Sequence, residues 1–320
     1  MLETVSLFSG CGGLDLGFIK AGFNIIWAND YDKFAVQTYK EKIGNHMVGP
    51  KDIRKIDKSE IPDHKLLIAG FPCQPFSMMG KEKGFDDERG TYFFQIEEIL
   101  QKKDTEIIVL ENVRTLKTHN SGKTFDKMKN ILRDKLNYHI TYKVLNSADY
   151  GVPQNRRRVF VIGFKDEKLL ENFEWPKKVK LNKTLQDILE KNVDDKYFLS
   201  EKIKKTILAT GTKNYYAEPE TDLEVARPLC ATMHKMHRAS QDNYVTQKGK
   251  LRRLTPAECS RLQGFPENFE DPVVSDTQAY RQFGNAVTVN VSHKIASQIR
   301  RSIEKTKSEV KCFDQEAGVV

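Results

Sequence analysis

One cysteine in the sequence stands where a reactive nucleophile would be expected. Cys73 lies in a loop that follows the apolar run Leu66–Ala69, which is typical of a short buried strand. Gly70 and two loop prolines end regular strand pairing, so we expect a stiff loop at the carboxyl end of that strand. Loops of this kind carry the chemistry of many α/β proteins, and a thiolate is a strong nucleophile. Because a single cysteine is more often a buried core residue, this loop alone leaves both interpretations open.

A glycine-rich turn near the N-terminus is the second feature with chemical potential. The β-branched and aromatic run Thr4–Phe8 predicts a strand, and helical spacing begins at Leu14. Three glycines lie between them: Gly10, Gly12 and Gly13. A strand, a glycine turn and a helix in this order allow a nucleotide-like ligand to approach the backbone closely. Asp30 follows about 20 residues later, where a carboxylate can accept hydrogen bonds from ribose hydroxyls, although a solvated loop acid fits equally well.

Charged side chains flank two later predicted strands. Glu111 directly follows an almost wholly apolar run that is typical of a buried parallel strand. Three consecutive arginines precede the next strand, and alternation along it would send Arg156 and Arg158 to one face and Arg157 to the other. Two guanidinium groups on one face can hold an anion or polarise a carbonyl. The alternative is a solvated basic patch, which we favour for Arg157.

The order of the elements brings these features together. Strands and helices alternate in the first half of the chain, which predicts a doubly wound α/β sheet with strand order 3-2-1-4-5. In that order the glycine turn, Cys73 and Glu111 share one carboxyl edge, at the switch point where ligands bind. After Phe164 the sequence becomes rich in Lys, Glu, Asn and Asp with weak periodicity, which predicts a separate, small and irregular region.

Composition narrows the class of protein. The 320 residues include 52 Lys and Arg against 44 Asp and Glu, and this excess of +8 suits a phosphate-bearing partner. The chain has no apolar run long enough to span a bilayer and enters a strand almost at once, so we expect no membrane span and no signal peptide. The five cysteines form no Cys-x-x-Cys pair, which argues against a disulfide framework or zinc site and favours a reducing cytoplasm. His234 and His237 lack a third ligand nearby, so we predict no metal site.

Six motifs taken together resemble the DNA cytosine-5 methyltransferase family of bacterial restriction-modification systems. They are Phe8–Gly13, Phe71–Gln74, Glu111–Val113, Gln154–Arg158, Arg227–Pro228 and Gln282–Asn285. Their order and spacing extend the resemblance over nearly the whole chain. It implies a doubly wound, Rossmann-like sheet and a methyltransferase activity that depends on S-adenosylmethionine. The implied catalytic domain covers 1–175 plus 276–320, a small target-recognition domain covers 176–275, and DNA lies in the cleft between them.

The resemblance also implies a catalytic role for four residues. Cys73 would add to carbon 6 of a cytosine, which makes carbon 5 nucleophilic enough to accept a methyl group. Glu111 would contact N3 and the amino group, while Arg156 and Arg158 would hold O2 and keep the thiolate charged. Since a base inside a duplex cannot be reached in this way, the target must be flipped out.

A second set of residues is implied to bind S-adenosylmethionine. Phe8 and Tyr31 would flank the adenine, and Asp30 would bind the ribose in a place where the family commonly has glutamate. Asp52 would approach the adenine amino group. The remaining implied contacts are Gly10, Gly12, Gly13, Ile53, Pro72 and Asn285.

The implied partner is double-stranded DNA with a short, palindromic site, methylated by a monomer that works beside a cognate restriction endonuclease.

One alternative is a tRNA cytosine-5 methyltransferase on the same scaffold. Relatives of that kind carry a Cys-Phe-Thr signature in the later half, whereas this chain reads Leu229–Met233 as Leu-Cys-Ala-Thr-Met. A second alternative is an inactive DNA-binding regulator, and the presence of all four implied catalytic residues argues against it.

Overall fold

A seven-stranded sheet forms the centre of the computed structural model, which describes residues 2–72, 92–212 and 215–317. Its strands are β1 (Glu3–Leu7), β2 (Asn24–Asn29), β3 (Met47–Val48), β4 (Leu66–Gly70), β5 (Ile107–Val113), β6 (His139–Asn146) and β7 (Arg157–Phe164). They lie in the order β3-β2-β1-β4-β5-β7-β6, and β7 runs antiparallel to both of its neighbours. The predicted doubly wound class and the order of the first five strands are therefore confirmed.

Helices cover both faces of the sheet, because successive residues of the central strands are apolar on both sides. One face carries α3 (Tyr92–Lys102) and α4 (Lys123–Asn130), and the other carries α1 (Gly13–Lys20), α2 (Lys33–Lys42), α5 (Glu167–Glu171) and α9 (Val289–Ala317). In β4, Leu67 packs with the first group of helices while Leu66 and Ile68 pack with the second. A strand buried on both faces in this way is typical of a parallel sheet.

Helix α9 returns the C-terminal part of the chain to the sheet. It packs so closely on α1 that a Cβ at Gly17 would clash with the side chain of Ser292. The Ser292 hydroxyl donates to the carbonyl oxygen of Leu14 at 2.5 Å, which fixes the two helices together. In the described part of the chain, no helix is both long and apolar enough to cross a membrane.

Short elements make up the region between the sheet and α9. They are α6 (Glu201–Ile207), the hairpin of β8 (Gly211–Thr212) and β9 (Tyr215–Tyr216), the hairpin of β10 (Tyr244–Gln247) and β11 (Lys250–Arg253), α7 (Pro256–Arg261) and α8 (Asp276–Asn285). The capping box predicted at the start of α7 is present, formed by Thr255 and Glu258. Tyr280 and Phe283 of α8 share a core cluster with Leu185 of this region. The domain limits stay a prediction. Helix α8 falls in the predicted catalytic domain but packs with the region 176–275.

Candidate active site

The carboxyl ends of β1, β4 and β5 open onto one cavity of about 370 Å³. Strand β7 joins them through its first residues, because it runs antiparallel and begins where β5 ends. The cavity walls include Phe8, Gly10, Asp30, Tyr31, Pro72, Glu111, Arg156, Arg158 and Asn285, all of them predicted site residues. Cys73, the predicted nucleophile, lies outside the described residues and directly follows Pro72 in the sequence. The cavity thus collects residues predicted for catalysis and residues predicted for the cofactor.

Glu111 is a buried carboxyl group held by one arginine. It pairs with Gly70 across the sheet, and a Cβ at Gly70 would lie 3.5 Å from Oε2 of Glu111. Burial raises the pKa of Glu111, while the positive charges of Arg158 and Arg156 oppose that rise. Nε of Arg158 lies 3.2 Å from Oε1 of Glu111 and fixes its orientation. Glu111 therefore keeps a proton to a higher pH than an exposed glutamate and can donate it to a ligand.

The two arginines that were predicted to act as a pair have different partners. Nη1 of Arg156 donates to the carbonyl of Leu229 at 2.9 Å, and Nη2 donates to the carbonyls of Gly284 and Ala286 at 2.9 and 2.8 Å. Burial lowers the pKa of Arg156 to about 9, and the charge of Arg158 adds to this effect. Because its terminal nitrogens are occupied by backbone, Arg156 is placed to hold the cavity wall together. Arg156 lines the cavity beside Arg158, and the expectation that both guanidinium groups face a bound base stays a prediction.

The predicted alternation of the arginines is confirmed. Arg156 and Arg158 line the active-site cavity, whereas Arg157 lines a separate cavity on the other side of the strand end. Arg158 also donates from Nη1 to the carbonyl of Arg157 at 3.0 Å. The alternation holds because residue 157 starts β7 and is already extended, paired with Asn146.

The other end of the cavity is built from the turn after β1. Phe8 has a φ of +55°, which is unusual for a bulky residue, and its ring meets that of Tyr92 edge-on at 5.2 Å. Gly10 has a φ of +56°, and a Cβ there would meet no atom within 4 Å, so the space beside it is open. Asp30 is buried and accepts from the backbone N–H of Gly10 and of Asp32, each at 2.8 Å. A carboxylate has about four lone-pair sites, so acceptor capacity remains for a ligand hydroxyl.

Four residues predicted to contact the cofactor are not among those that line the cavity. A Cβ at Gly12 would clash with the side chain of Ile43, and one at Gly13 would clash with the carbonyl of Val287, so these glycines serve the packing of α1. The remaining two are Asp52 and Ile53. The carboxylate of Asp52 accepts from Nη2 of Arg54 at 2.6 Å and caps the short helical turn that begins at Ile53, whose side chain is in the core.

Comparison with known proteins assigns the chain to a family. The family model for the C-5 cytosine-specific DNA methylase matches residues 2–301. The chain belongs to this family. The comparison confirms the predicted class of activity, methylation of cytosine carbon 5 in DNA, over the tRNA enzyme and the inactive regulator.

Individual relatives agree with this assignment. The chain is 42% identical over 317 residues to the Type II methyltransferase M1.ScrFI of Lactococcus lactis subsp. cremoris, covering 95% of this chain and 79% of that one. It is 39% identical over 313 residues to the Type II methyltransferase M.NlaX of Neisseria lactamica, covering 95% and 97%. The solved S. pombe Dnmt2 methyltransferase superposes with a TM-score of 0.76 at 21% identity, covering 93% of this chain and 98% of that one. At that identity the superposition confirms the fold alone.

Sequence reasoning missed residues that complete the site of this family member. Nδ2 of Asn112 donates to the carbonyl of Phe71 at 2.8 Å and so fixes the backbone just before Pro72. Nη1 of Arg281 lies 3.7 Å from Oδ2 of Asp32, and both residues line the cavity. Arg281 lies one helical turn before Asn285, and this i, i+4 spacing could have indicated that both side chains face the same ligand.

Proposed function

We propose that the protein transfers a methyl group from S-adenosylmethionine to carbon 5 of a cytosine flipped out of double-stranded DNA. The observation that carries the proposal is the single cavity with Glu111 and Arg158 at one end and Gly10 and Asp30 at the other. One end offers a proton donor and cation for a base, and the other offers open backbone and a carboxylate for a nucleoside. Membership of the cytosine-C5 family supports the same assignment.

Cys73 is the proposed nucleophile. Cytosine carbon 5 is a poor nucleophile, and a thiolate bond to carbon 6 breaks the aromatic system and makes carbon 5 carbanion-like. After carbon 5 has gained its methyl group, a base removes the carbon-5 proton and the bond between sulfur and carbon 6 breaks, which restores the ring and frees the thiolate. The hydrogen bond from Asn112 to Phe71 supports this role, because it fixes the chain two residues before the cysteine.

Glu111 and Arg158 are proposed to act on the opposite side of the base. As sulfur adds to carbon 6, negative charge moves towards N3, and the protonated carboxyl of Glu111 donates its proton there; the proton returns to Glu111 when the sulfur leaves. Arg158, 3.2 Å from Glu111, orients that carboxyl and neutralises charge at O2. Arg156 is a positioning residue in this scheme, since it holds the carbonyls of Leu229 and Gly284 at the cavity wall.

The cofactor end of the cavity fits S-adenosylmethionine. The open space beside Gly10 leaves room for a ligand against the backbone, and Asp30 retains acceptor capacity for ribose hydroxyls. Phe8 and Tyr31 offer aromatic rings at the same wall, and Tyr31 is 53% exposed. When bound, S-adenosylmethionine supplies an electrophilic methyl group on a sulfonium. Asp52 and Ile53 contribute by shaping the loop behind Tyr92, where Arg54 stacks 5.0 Å from the ring.

We further propose that the enzyme is the modification arm of a bacterial restriction-modification system and acts as a cytoplasmic monomer. The relatives named Type II methyltransferases support this, and it implies a short duplex site shared with a cognate endonuclease. The stretch 176–226 is the proposed reader of the site. Exchanging it for that of a relative should change the methylated sequence, and an unchanged sequence would move specificity towards His234–Arg238.

Methyl transfer from tritium-labelled S-adenosylmethionine tests the proposal. Label should enter duplex DNA as 5-methylcytosine and leave tRNA unlabelled, and the Glu111→Gln variant serves as the matched control with nearly the same shape. Label in tRNA alone would favour the RNA enzyme, and no label in either nucleic acid would favour the inactive regulator. Bisulfite sequencing of the methylated DNA then identifies the site.

A further inference from the structure

A second cavity, of about 840 Å³, lies at the same edge of the sheet as the active site. At two places, neighbouring residues of the chain line different cavities. Val113 lines the active site and Arg114 the second cavity, while Arg158 lines the active site and Arg157 the second cavity. The two cavities therefore lie back to back across the ends of β5 and β7.

The second cavity is strongly basic. Its cationic lining consists of Arg114, Lys117, Lys143, Arg157, Lys177 and Lys178, against one carboxylate, Asp149. Nζ of Lys178 lies 3.0 Å from Oδ2 of Asp149. The other five cations have no carboxylate partner among the residues that the structure describes. Unpaired positive charge collected in a concave surface concentrates anions there.

A large aromatic side chain, held by two contacts, lines the cavity beside these charges. Trp175 lines the cavity, and its Nε1 donates to Oγ1 of Thr141 at 3.1 Å. Its ring also packs edge-on against Phe173 at 5.3 Å. The cations come from three separate chain segments, around residues 114–118, 143–157 and 177–178. This spread suits an extended polyanion better than a single small anion.

We propose that this basic cavity binds the phosphate backbone of the DNA duplex that flanks the target site. The inference rests on the proposed function, since the duplex must deliver its cytosine to the adjacent active-site cavity. Backbone contacts of this kind hold the duplex in position without reading its sequence. Four of the six cations belong to the predicted catalytic domain, and Lys177 and Lys178 belong to the start of the region 176–275.

The test compares two variants that each lose three positive charges. The first is Lys117→Gln/Lys143→Gln/Arg157→Gln, and all three side chains are exposed, so folding should be unaffected. The control is Arg301→Gln/Lys305→Gln/Lys307→Gln on α9, also exposed and at least about 18 Å along the helix from the active-site edge at Val289. Thermal melting checks that both variants fold.

Affinity for duplex DNA is measured against salt concentration, with a short duplex and with one extended on both sides of the site. Each lost phosphate contact lowers the slope of log affinity against log salt by about 0.9, so the first variant should lose about 2–3 units of slope on the long duplex. The wild type should bind the extended duplex more tightly than the short one, and the first variant should lose this gain in affinity. Methyl transfer to the short duplex at saturating concentration should match the wild type, and the α9 variant should match it throughout.

Two results would overturn the inference while leaving the proposed function intact. One is an unchanged salt slope and unchanged flank dependence in the first variant, with methyl transfer preserved. The other is an unchanged DNA slope together with loss of binding to a short RNA duplex or to inorganic pyrophosphate, which would assign the cavity to a different anion. Failure of the wild type to methylate any duplex would instead contradict the proposed function. The single variant Arg157→Gln, with an expected slope loss of about 1, gives an independent second reading.

Discussion

The two cavities at the carboxyl edge of the sheet hold their charges in opposite ways. In the active site, Glu111, Asp30 and Arg156 are buried, and each is fixed by hydrogen bonds or an ion pair. In the basic cavity the cations around Arg157 are exposed and largely unpaired. Burying a charge is expensive unless its partners are well placed, so buried charges are expected where atoms must be held in one geometry. Exposed cations lose little hydration and suit a partner that is held by its charge alone.

The largest effect on activity is expected at Glu111, a buried and fixed charge of the active site. Replacing Glu111 with Gln should lower the rate of methyl transfer by about 10²–10⁴-fold, because it removes a positioned proton donor. Since burial raises the pKa of Glu111, the wild-type rate should be retained below that raised pKa and fall as the pH rises through it. The glutamine amide cannot transfer a proton but offers a hydrogen bond at every pH, so the residual activity should lack this alkaline limb. Single-turnover rates across pH check this, and an unchanged limb in the variant would assign it to another group.

The second prediction sets two adjacent arginines against each other. Arg156→Met should lower the free energy of unfolding by about 3–5 kcal/mol, because it leaves three buried carbonyls without their donor. Arg157→Met, one residue along the chain, should change it by no more than about 0.5 kcal/mol. Urea unfolding of both variants measures the difference. Equal effects would mean that the burial of Arg156 contributes nothing to holding the site.

The third prediction concerns the cofactor end and is the smallest. Asp30→Asn should weaken S-adenosylmethionine binding by about 1.5–3 kcal/mol, the size of a hydrogen bond to a charged group. Asp52→Asn is the matched control, because Asp52 is paired with Arg54 and does not line the cavity. Titration calorimetry gives both affinities. A larger loss for Asp52→Asn would support the direct role that the resemblance implied for it.

Much of the scaffold could be predicted from the sequence. The apolar run in β4 and the glycine turn after β1 mark buried parallel strands and their carboxyl ends, and the doubly wound class that they indicate has the strand order that is observed. The alternation of Arg156, Arg157 and Arg158 follows from strand geometry alone. Such features are predictable because neighbouring residues determine them.

The features that escaped prediction depend on distant residues. The carbonyls bound by Arg156 belong to Leu229, Gly284 and Ala286, between 73 and 130 positions along the chain. No local pattern distinguishes an arginine that will meet three carbonyls from one that will meet a ligand. The basic cavity has the same origin, because its charges come from three segments that each read as ordinary solvated surface. The pairing of Asp52 with Arg54 is local, and it could have been recognised as a capping interaction.

The central claim is that cytosine methylation proceeds through a covalent bond to Cys73, assisted by Glu111. The other cysteines are Cys11, Cys230, Cys259 and Cys312. Burial raises the pKa of Cys11 to about 12 and also raises the pKa values of Cys230 and Cys259, which disfavours their thiolates. Cys312 lies in the last turns of α9, far along the chain from the active-site motifs.

Trapping with a fluorinated duplex tests this claim most directly. Fluorine at carbon 5 of the target cytosine cannot leave as a proton does, so the covalent intermediate should accumulate after methyl transfer as a denaturation-resistant adduct. Peptide mapping should locate the attachment at Cys73, and Cys73→Ala should form no adduct and show no turnover, while Glu111→Gln should form the adduct far more slowly. Attachment at any other cysteine, or the absence of an adduct from an enzyme that methylates DNA, would contradict the account.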